Sequence, residues 1–279
     1  MAIRIGCGSW ADKEYTGILY PKGLPAGDRL RVYAERFPRI ELNNTYHNTP
    51  SAAQMAGWAG LAPQGFLFDF KLHRAFSEKP ATSGDLVTKM TAALQPLLDA
   101  GKLGCCLLTL APSFGPGRHR LEEIDDLLPR LPAGVPLAVE LRARSWVEGE
   151  ACAITLDFFR TRKLVWVALD LPPLKLPALL PVMDEVTNPR LAYMRLHGRN
   201  PDWASAKGEE RHHWDYSSKE LKEIAARIRR LADQAADVHV SVNNHFANYA
   251  PKAALALMAL LGLGGATAEE RPRTGELFY

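Results

Sequence analysis

Eight short runs rich in β-branched and other apolar residues recur along the chain, each followed by a helical pattern or a turn-rich connection. They span residues 3–8, 39–43, 66–71, 103–110, 136–141, 164–169, 192–197 and 238–243. Between them, apolar spacing predicts helices over 28–37, 52–60, 85–100, 120–131, 148–162 and 217–235, with 251–261 closing the series. Only the connection after the sixth run, proline-rich from 172 to 181, lacks a long helical pattern. Strand alternating with helix requires parallel pairing through right-handed crossovers, and eight such units fit a single (β/α)8 TIM barrel around a parallel eight-stranded sheet. A doubly wound open sheet is the competing arrangement. It usually carries a glycine-rich phosphate turn before its first helix, and Gly6-Cys7-Gly8-Ser9-Trp10 lacks the third glycine of the dinucleotide fingerprint. The 279 residues suit one barrel domain over 1–262 followed by a tail over 263–279.

Composition narrows the function classes. The 34 Lys+Arg and 31 Asp+Glu leave a net charge of +3, too small for a general nucleic-acid or membrane-surface binder. Any preference for anions must come from a local site. The first residues lack a signal-peptide pattern, and no apolar stretch reaches the roughly 20 residues that span a bilayer. A cytoplasmic protein with no membrane partner is expected. Cys7, Cys105, Cys106 and Cys152 show no C-x-x-C spacing, so buried free thiols are expected rather than disulfides or a structural zinc site.

In a barrel both strand faces are buried, so polar residues within strands are costly unless paired or functional. Period-two alternation lets the apolar set face the helices while Glu41/Asn43, Asp69/Lys71, Glu140/Arg142, Arg195/His197 and Ser241/Asn243 face the axis. All these pairs lie near strand C-terminal ends, the rim where barrel enzymes carry their active sites. The loops that follow add Asp170, Arg199, Asn244 and His245.

Lys71, Arg142, Arg195 and Arg199, with His197 and His245, oppose Glu41, Asp69, Glu140 and Asp170. The arginine fork suits bidentate contact with phosphate or carboxylate, which points to a small anionic partner. A divalent metal is the alternative, since Glu41, Glu140, Asp170, His197 and His245 are acceptable ligands. The interleaved cations argue against it, and no intrinsic cofactor is expected. For proton transfer, Glu41 and Glu140 would serve as acid and base, with His197 competing as the base. A Schiff base on Lys71 is a further route, opposed by Glu140 and Asp69, whose charges would raise its pKa.

These same residues carry a family resemblance. The segments Ile5-Gly6…Trp10, Tyr20-Pro21, Glu41-x-Asn43-x-Thr45-Tyr46, Pro112-Ser113-Phe114, Glu140-x-Arg142-x-x-Ser145-Trp146, Tyr193-x-Arg195-x-His197-Gly198-Arg199 and Asn243-Asn244-His245 resemble the YecE-like family, uncharacterised barrel proteins with domain of unknown function 72. They cover essentially the whole chain. The resemblance implies a TIM barrel with a polar rim and brings no settled activity or cofactor. Two turns depart from the family pattern: Thr109-Leu110-Ala111 stands where Gln-Leu-Pro is usual, and Gly6-Cys7-Gly8-Ser9-Trp10 where Gly-Thr-Ser-Gly-Trp is usual.

The long segment 198–216, with Trp203, His212, His213 and Trp214, reads either as a lid or as a surface loop. Adjacent His212 and His213 rarely aim at one ion, so a solvated pair is expected. Trp10, Tyr46 and Trp146 would stack on a ligand ring or pack under loops. The basic stretch 219–230 reads as a solvated helix face, and Leu277-Phe278-Tyr279 as an end that docks on the barrel. The leading expectation is an enzyme of hydrolase, lyase or isomerase type with a phosphorylated or carboxylated substrate. Nucleic-acid phosphodiester binding or metal-assisted hydrolysis is a second reading, and a non-catalytic barrel that senses a metabolite or docks a protein is a third.

Overall fold

Strand β1 (Ala2–Cys7) lies parallel to β8 (Asp237–Val242), so the first and last strands meet. Between them run β2 (Arg39–Leu42), β3 (Leu67–Lys71), β4 (Leu103–Thr109), β5 (Leu137–Glu140), β6 (Val165–Asp170) and β7 (Leu191–Leu196), in the spatial order β1-β8-β7-β6-β5-β4-β3-β2. Every ladder is parallel. This computed structural model describes residues 1–264 apart from Ser83, His245 and the side chain of Glu209. It is the expected (β/α)8 barrel, with outer helices α1 (Arg29–Ala34), α2 (Ala52–Leu61), α3 (Ala75–Glu78), α4 (Asp85–Asp99), α5 (Ala151–Thr161), α6 (Ser218–Ala232) and α7 (Tyr249–Leu260).

Local chemistry explains these elements and one departure. Helix α6 starts at a capping box in which Ser217 accepts from the Glu220 amide and Glu220 accepts from the Ser217 amide. It buries Leu221, Ile224, Ile228 and Leu231 at helical spacing. The stretch 120–131, expected as a helix, forms instead two 3₁₀ turns, Leu121–Ile124 and Leu128–Arg130. Pro129 and Pro132 lack the backbone donors that a continuous helix needs. The proline-rich chain after β6 stays irregular, as expected, and Thr187 ties it down by accepting from the Trp166 amide and donating to the Leu164 carbonyl.

Closure of the barrel is incomplete at one seam. No ladder joins β1 to β2 among the described residues. The Tyr33 hydroxyl bridges the gap from α1: it accepts from the Cys7 amide at 2.7 Å and donates to the Arg39 carbonyl at 3.1 Å. Gly6 permits this approach, because a Cβ there would lie 2.1 Å from the Arg39 carbonyl oxygen. The four cysteines are free. No helix among the described residues is long and apolar enough to cross a membrane. The expected docking of Leu277-Phe278-Tyr279 lies outside the described residues.

Candidate functional site

The barrel interior holds two polar layers. In the lower one, Arg39 donates to the Val240 carbonyl at 2.6 Å and to the Tyr193 hydroxyl at 2.7 Å, and forms an ion pair with Asp69. His239 Nδ1 straddles the same carboxylate, 3.0 Å from the Oδ2 that Arg39 engages and 3.1 Å from Oδ1. Gly104 makes room for this pairing, since a Cβ there would come 2.3 Å from Asp69 Oδ1. Asp69 was expected at the rim. It sits at the level of Arg39 instead, fully buried. Asp69, Cys105 and His239 offer potential metal-ligand atoms within 4.8 Å of one another, the sole such group among the described residues. Arg39 already occupies the Asp69 carboxylate, and burial followed by the Asp69 charge pushes the Cys105 thiol well above its ordinary range. A protonated thiol beside a guanidinium suits a hydrogen-bonded core better than a cation.

The upper layer centres on Arg195. Its Nη2 and Nε donate to the two Glu41 oxygens at 2.7 and 3.0 Å, and its Nη1 donates to Glu140. Tyr193 donates to Glu41 at 2.9 Å and so links the two layers. Glu140 also accepts from Arg142 Nε at 2.6 Å. On the other side, Lys71 Nζ donates to Asn43 Oδ1 at 3.2 Å and stands 4.5 Å from the centre of the Tyr46 ring. Asn43 donates to Asn243 Oδ1 at 2.7 Å, and the Asn243 amide meets His197 Nδ1 at 3.4 Å. His197 Nε2 lies 3.6 Å from Glu140, which returns the chain of contacts to the centre.

Electrostatics then assign protonation states. Burial would raise the Glu41 carboxyl, but Arg195, Lys71 and Arg39 outweigh it and hold the group at about 2. Glu140 is likewise held well below its ordinary value, burial being overcome by Arg195 and Arg142. Both are carboxylates at neutral pH, which removes either as a resting general acid. Burial and then Arg195 push His197 down to about 3, so its ring is neutral. Burial, followed by the charges of Arg195 and Arg142, pushes Lys71 down to about 7, against the upward pull of Glu41 and Glu140. Glu140 does raise Lys71, as expected, but burial and the two arginines outweigh it, so the net shift is downward.

Two cavities open on this layer. The larger, about 840 Å³, is lined by Trp10, Asp12 and Glu14 after β1, by Glu41 and Asn43, and by Phe246 after β8. The smaller, about 220 Å³, is lined by Glu140, Arg142, Leu169, Leu179, His197 and Trp203. Gly208 and His212 line both, so segment 198–216 crosses the mouth between them. His212 was expected to be solvated beside His213. It turns inward, with Nδ1 3.0 Å from the His197 carbonyl, while His213 stacks on Phe246 at 3.8 Å. Adjacent side chains diverge, and the pair splits between the site and the loop above it.

Several expected site residues lie elsewhere. Asp170 ends β6 on the face opposite Leu169, where it accepts from Arg199, Arg227 and Tyr216, each at 2.8 Å. Asp170 and Arg199 thus belong to a cluster against α6 rather than to the cavities. The same cluster buries Arg227, correcting the view of 219–230 as a wholly solvated face. Trp146 is buried and donates to the Phe114 carbonyl at 2.6 Å, which ties two rim loops together. Asn244 is buried and holds segment 198–216 through the Trp214 carbonyl. Trp10 reaches the larger cavity with its ring edge-on to Trp58. His245 lies outside the described residues. The sequence reading missed Asp12, Glu14 and Phe246, which stand in loops where no periodic signal operates.

A parallel barrel with a charged, partly enclosed mouth at its C-terminal rim defines the class of protein. The profile of the family described as "Protein of unknown function DUF72" matches residues 4–276, and the chain belongs to that family. It is 25% identical to the UPF0759 protein YunF of Bacillus subtilis (strain 168), over 87% of this chain and 89% of that one. A crystal structure of a DUF72 family protein from Thermotoga maritima MSB8 superposes with a TM-score of 0.82 at 29% identity, over 94% of this chain and all (100%) of that one. Another, from Enterococcus faecalis V583, gives 0.80 at 25% identity, over 94% and 96%.

Proposed function

We propose that the chain is an enzyme acting on a small phosphorylated or carboxylated molecule at the barrel mouth. One observation carries this reading: Arg195 is consumed by Glu41 and Glu140, whereas Arg142 spends only Nε on Glu140. The Arg142 side chain is 34% exposed on the smaller cavity, and its two terminal amino groups have no protein partner among the described residues. That fork matches a carboxylate or phosphate. The anion site is thus Arg142 with Lys71, and Arg195 is the post that fixes both carboxylates.

Proton transfer falls to neutral His197 and to Lys71, while Glu41 and Glu140 act as fixed charges that orient Arg195 and Arg142. Metal-assisted phosphodiester hydrolysis fits less well, because a guanidinium stands between the two carboxylates that would have to share an ion. Calorimetric titration with inorganic phosphate and with succinate tests the reading. Arg142→Ala should weaken the better ligand at least tenfold with little change in thermal stability. Equal affinity in the variant, or no binding of either probe by the unaltered protein at millimolar concentration, would sink it.

A further inference from the structure

Lys71 is the cation of the upper layer that no carboxylate holds. It makes no ion pair among the described residues, is 8% exposed, and has Asn43 as its hydrogen-bond partner and the Tyr46 ring as its wall. The nearby carboxylates are committed elsewhere, Glu41 to Arg195 and Tyr193, Glu140 to Arg195 and Arg142. We propose that Lys71 is a nucleophilic amine that forms an imine with an anionic aldehyde or ketone whose charged end rests on Arg142. This deepens the anionic-substrate reading above and rests on it.

Three features of the site suit that step. A buried amine with cationic neighbours keeps a large fraction of free base near neutral pH, and burial, Arg195 and Arg142 bring Lys71 to about 7 despite Glu41 and Glu140. The Tyr46 ring face, 4.5 Å from Nζ, stabilises a cation without accepting its proton, so it serves the ammonium and the iminium alike. The polar chain from Lys71 through Asn43 and Asn243 to His197 fixes the direction of the amine, while the proton it releases passes to water, because carboxamides relay none and an imidazole held at about 3 is too weak a base.

The ammonium first releases one proton. The Nζ lone pair then attacks the carbonyl carbon, the C=O π pair moves to oxygen, and a proton passes from nitrogen to oxygen to give a carbinolamine. The released proton returns to that oxygen, the C–O bond breaks with its electron pair, water leaves, and the nitrogen lone pair closes the C=N bond. An ammonium and a carbonyl thus become a protonated imine and water, with no oxidant or reductant.

The experiment is trapping by sodium cyanoborohydride, with glyoxylate and pyruvate as carboxylated probes and dihydroxyacetone phosphate as the phosphorylated one. Adducts are located by peptide mass mapping. With at least one probe, Lys71 should be labelled at least tenfold faster than any other lysine, and the probe that labels best tells carboxylate from phosphate. The rate at Lys71 should rise through about pH 7, the value set by the facing charges of Arg195, Arg142, Glu41 and Glu140. Lys71→Arg should lose that adduct, and because the unaltered protein carries the main readout, a folding defect in the variant does not blur the result. Labelling spread evenly over the lysines, or none at Lys71 with all three probes, overturns the proposal. If phosphate or succinate still binds in an Arg142-dependent way, only the imine step has failed. If neither result appears, the anion reading fails with it.

Discussion

The two polar layers inside the barrel are made of the same residue types, yet they handle charge differently. In the lower layer Arg39 and Asp69 have no exposure, and Asp69 is held by Arg39 and His239 together. Arg39, Asp69 and His239 line neither of the two cavities. In the upper layer the central pairing of Arg195 with Glu41 and Glu140 is equally buried, but its margin carries Arg142 and His197 on the smaller cavity and Lys71 bonded to Asn43, which lines the larger. A buried ion pair by itself is weak evidence for stability or for function. What separates the layers is the donor capacity left over after the pairs are made.

Removing the central arginines gives the largest expected effect. Arg195→Met takes the shared guanidinium from two buried carboxylates, leaving Glu140 with Arg142 and Glu41 with Tyr193, and Arg39→Met leaves Asp69 with His239, so each should cost about 3–5 kcal/mol, with Arg195→Met the more damaging. Urea unfolding measures this, and anion titration of the folded fraction separates the layers. Arg39→Met should leave affinity unchanged, and a weakened affinity would break the division between a structural and a functional layer.

Acid and alkaline titrations sharpen the comparison. Asp69 and Glu41 titrate at about 2 in the folded protein and His197 at about 3, all below their unfolded values. For each, the unfolded chain binds the proton first as pH falls. His197 therefore withdraws stability as pH drops from about 6.5 to 3, and the carboxylates withdraw it from about 4.5 to 2. Lys71, at about 7 when folded against 10.5 when free, acts at the other end. Its burial costs most below pH 7, so stability should rise from pH 7 to about 9 as the unfolded chain alone keeps the proton; above that the buried thiols Cys7, Cys105 and Cys106, all pushed above their ordinary value, withdraw more than Lys71 adds. Lys71→Met should abolish that rise in denaturant midpoints, while Arg39→Met should leave it in place. Persistence of the rise in Lys71→Met would assign it to another group.

The smallest effect tests the seam between β1 and β2, on which both layers rest. Tyr33→Phe leaves the Cys7 amide and the Arg39 carbonyl without their shared hydroxyl, a loss of about 1–3 kcal/mol. Chemical denaturation measures it, and anion affinity should not change.

Much of this was legible from local pattern. The parity of Arg195 and His197 on β7, of Glu41 and Asn43 along β2 and beyond its end, and of Glu140 and Arg142 from β5 follows from the pleat, so their shared face was read correctly. The same parity sends Asp170, which follows Leu169, the other way, toward α6. The inward turn of His212 leaves no trace in sequence, because a long loop has no period and the direction of each side chain depends on what the loop crosses. Apolar spacing predicts one helix over 120–131, but Pro129 lacks the amide that helix needs and the segment breaks into turns.

The sequence of runs and crossovers alone specified eight parallel strands, the barrel, and the set of polar residues aimed at its axis. It did so because strand pleat, helix periodicity and crossover handedness are local properties. Tertiary structure alone decided that Arg195 takes both Glu41 and Glu140, that Asp69 joins Arg39 below them, and that Lys71 and Arg142 are left with chemistry to spare. Which residues meet across the axis depends on the tilt and stagger of the closed strands, a property of the whole barrel that no single segment carries.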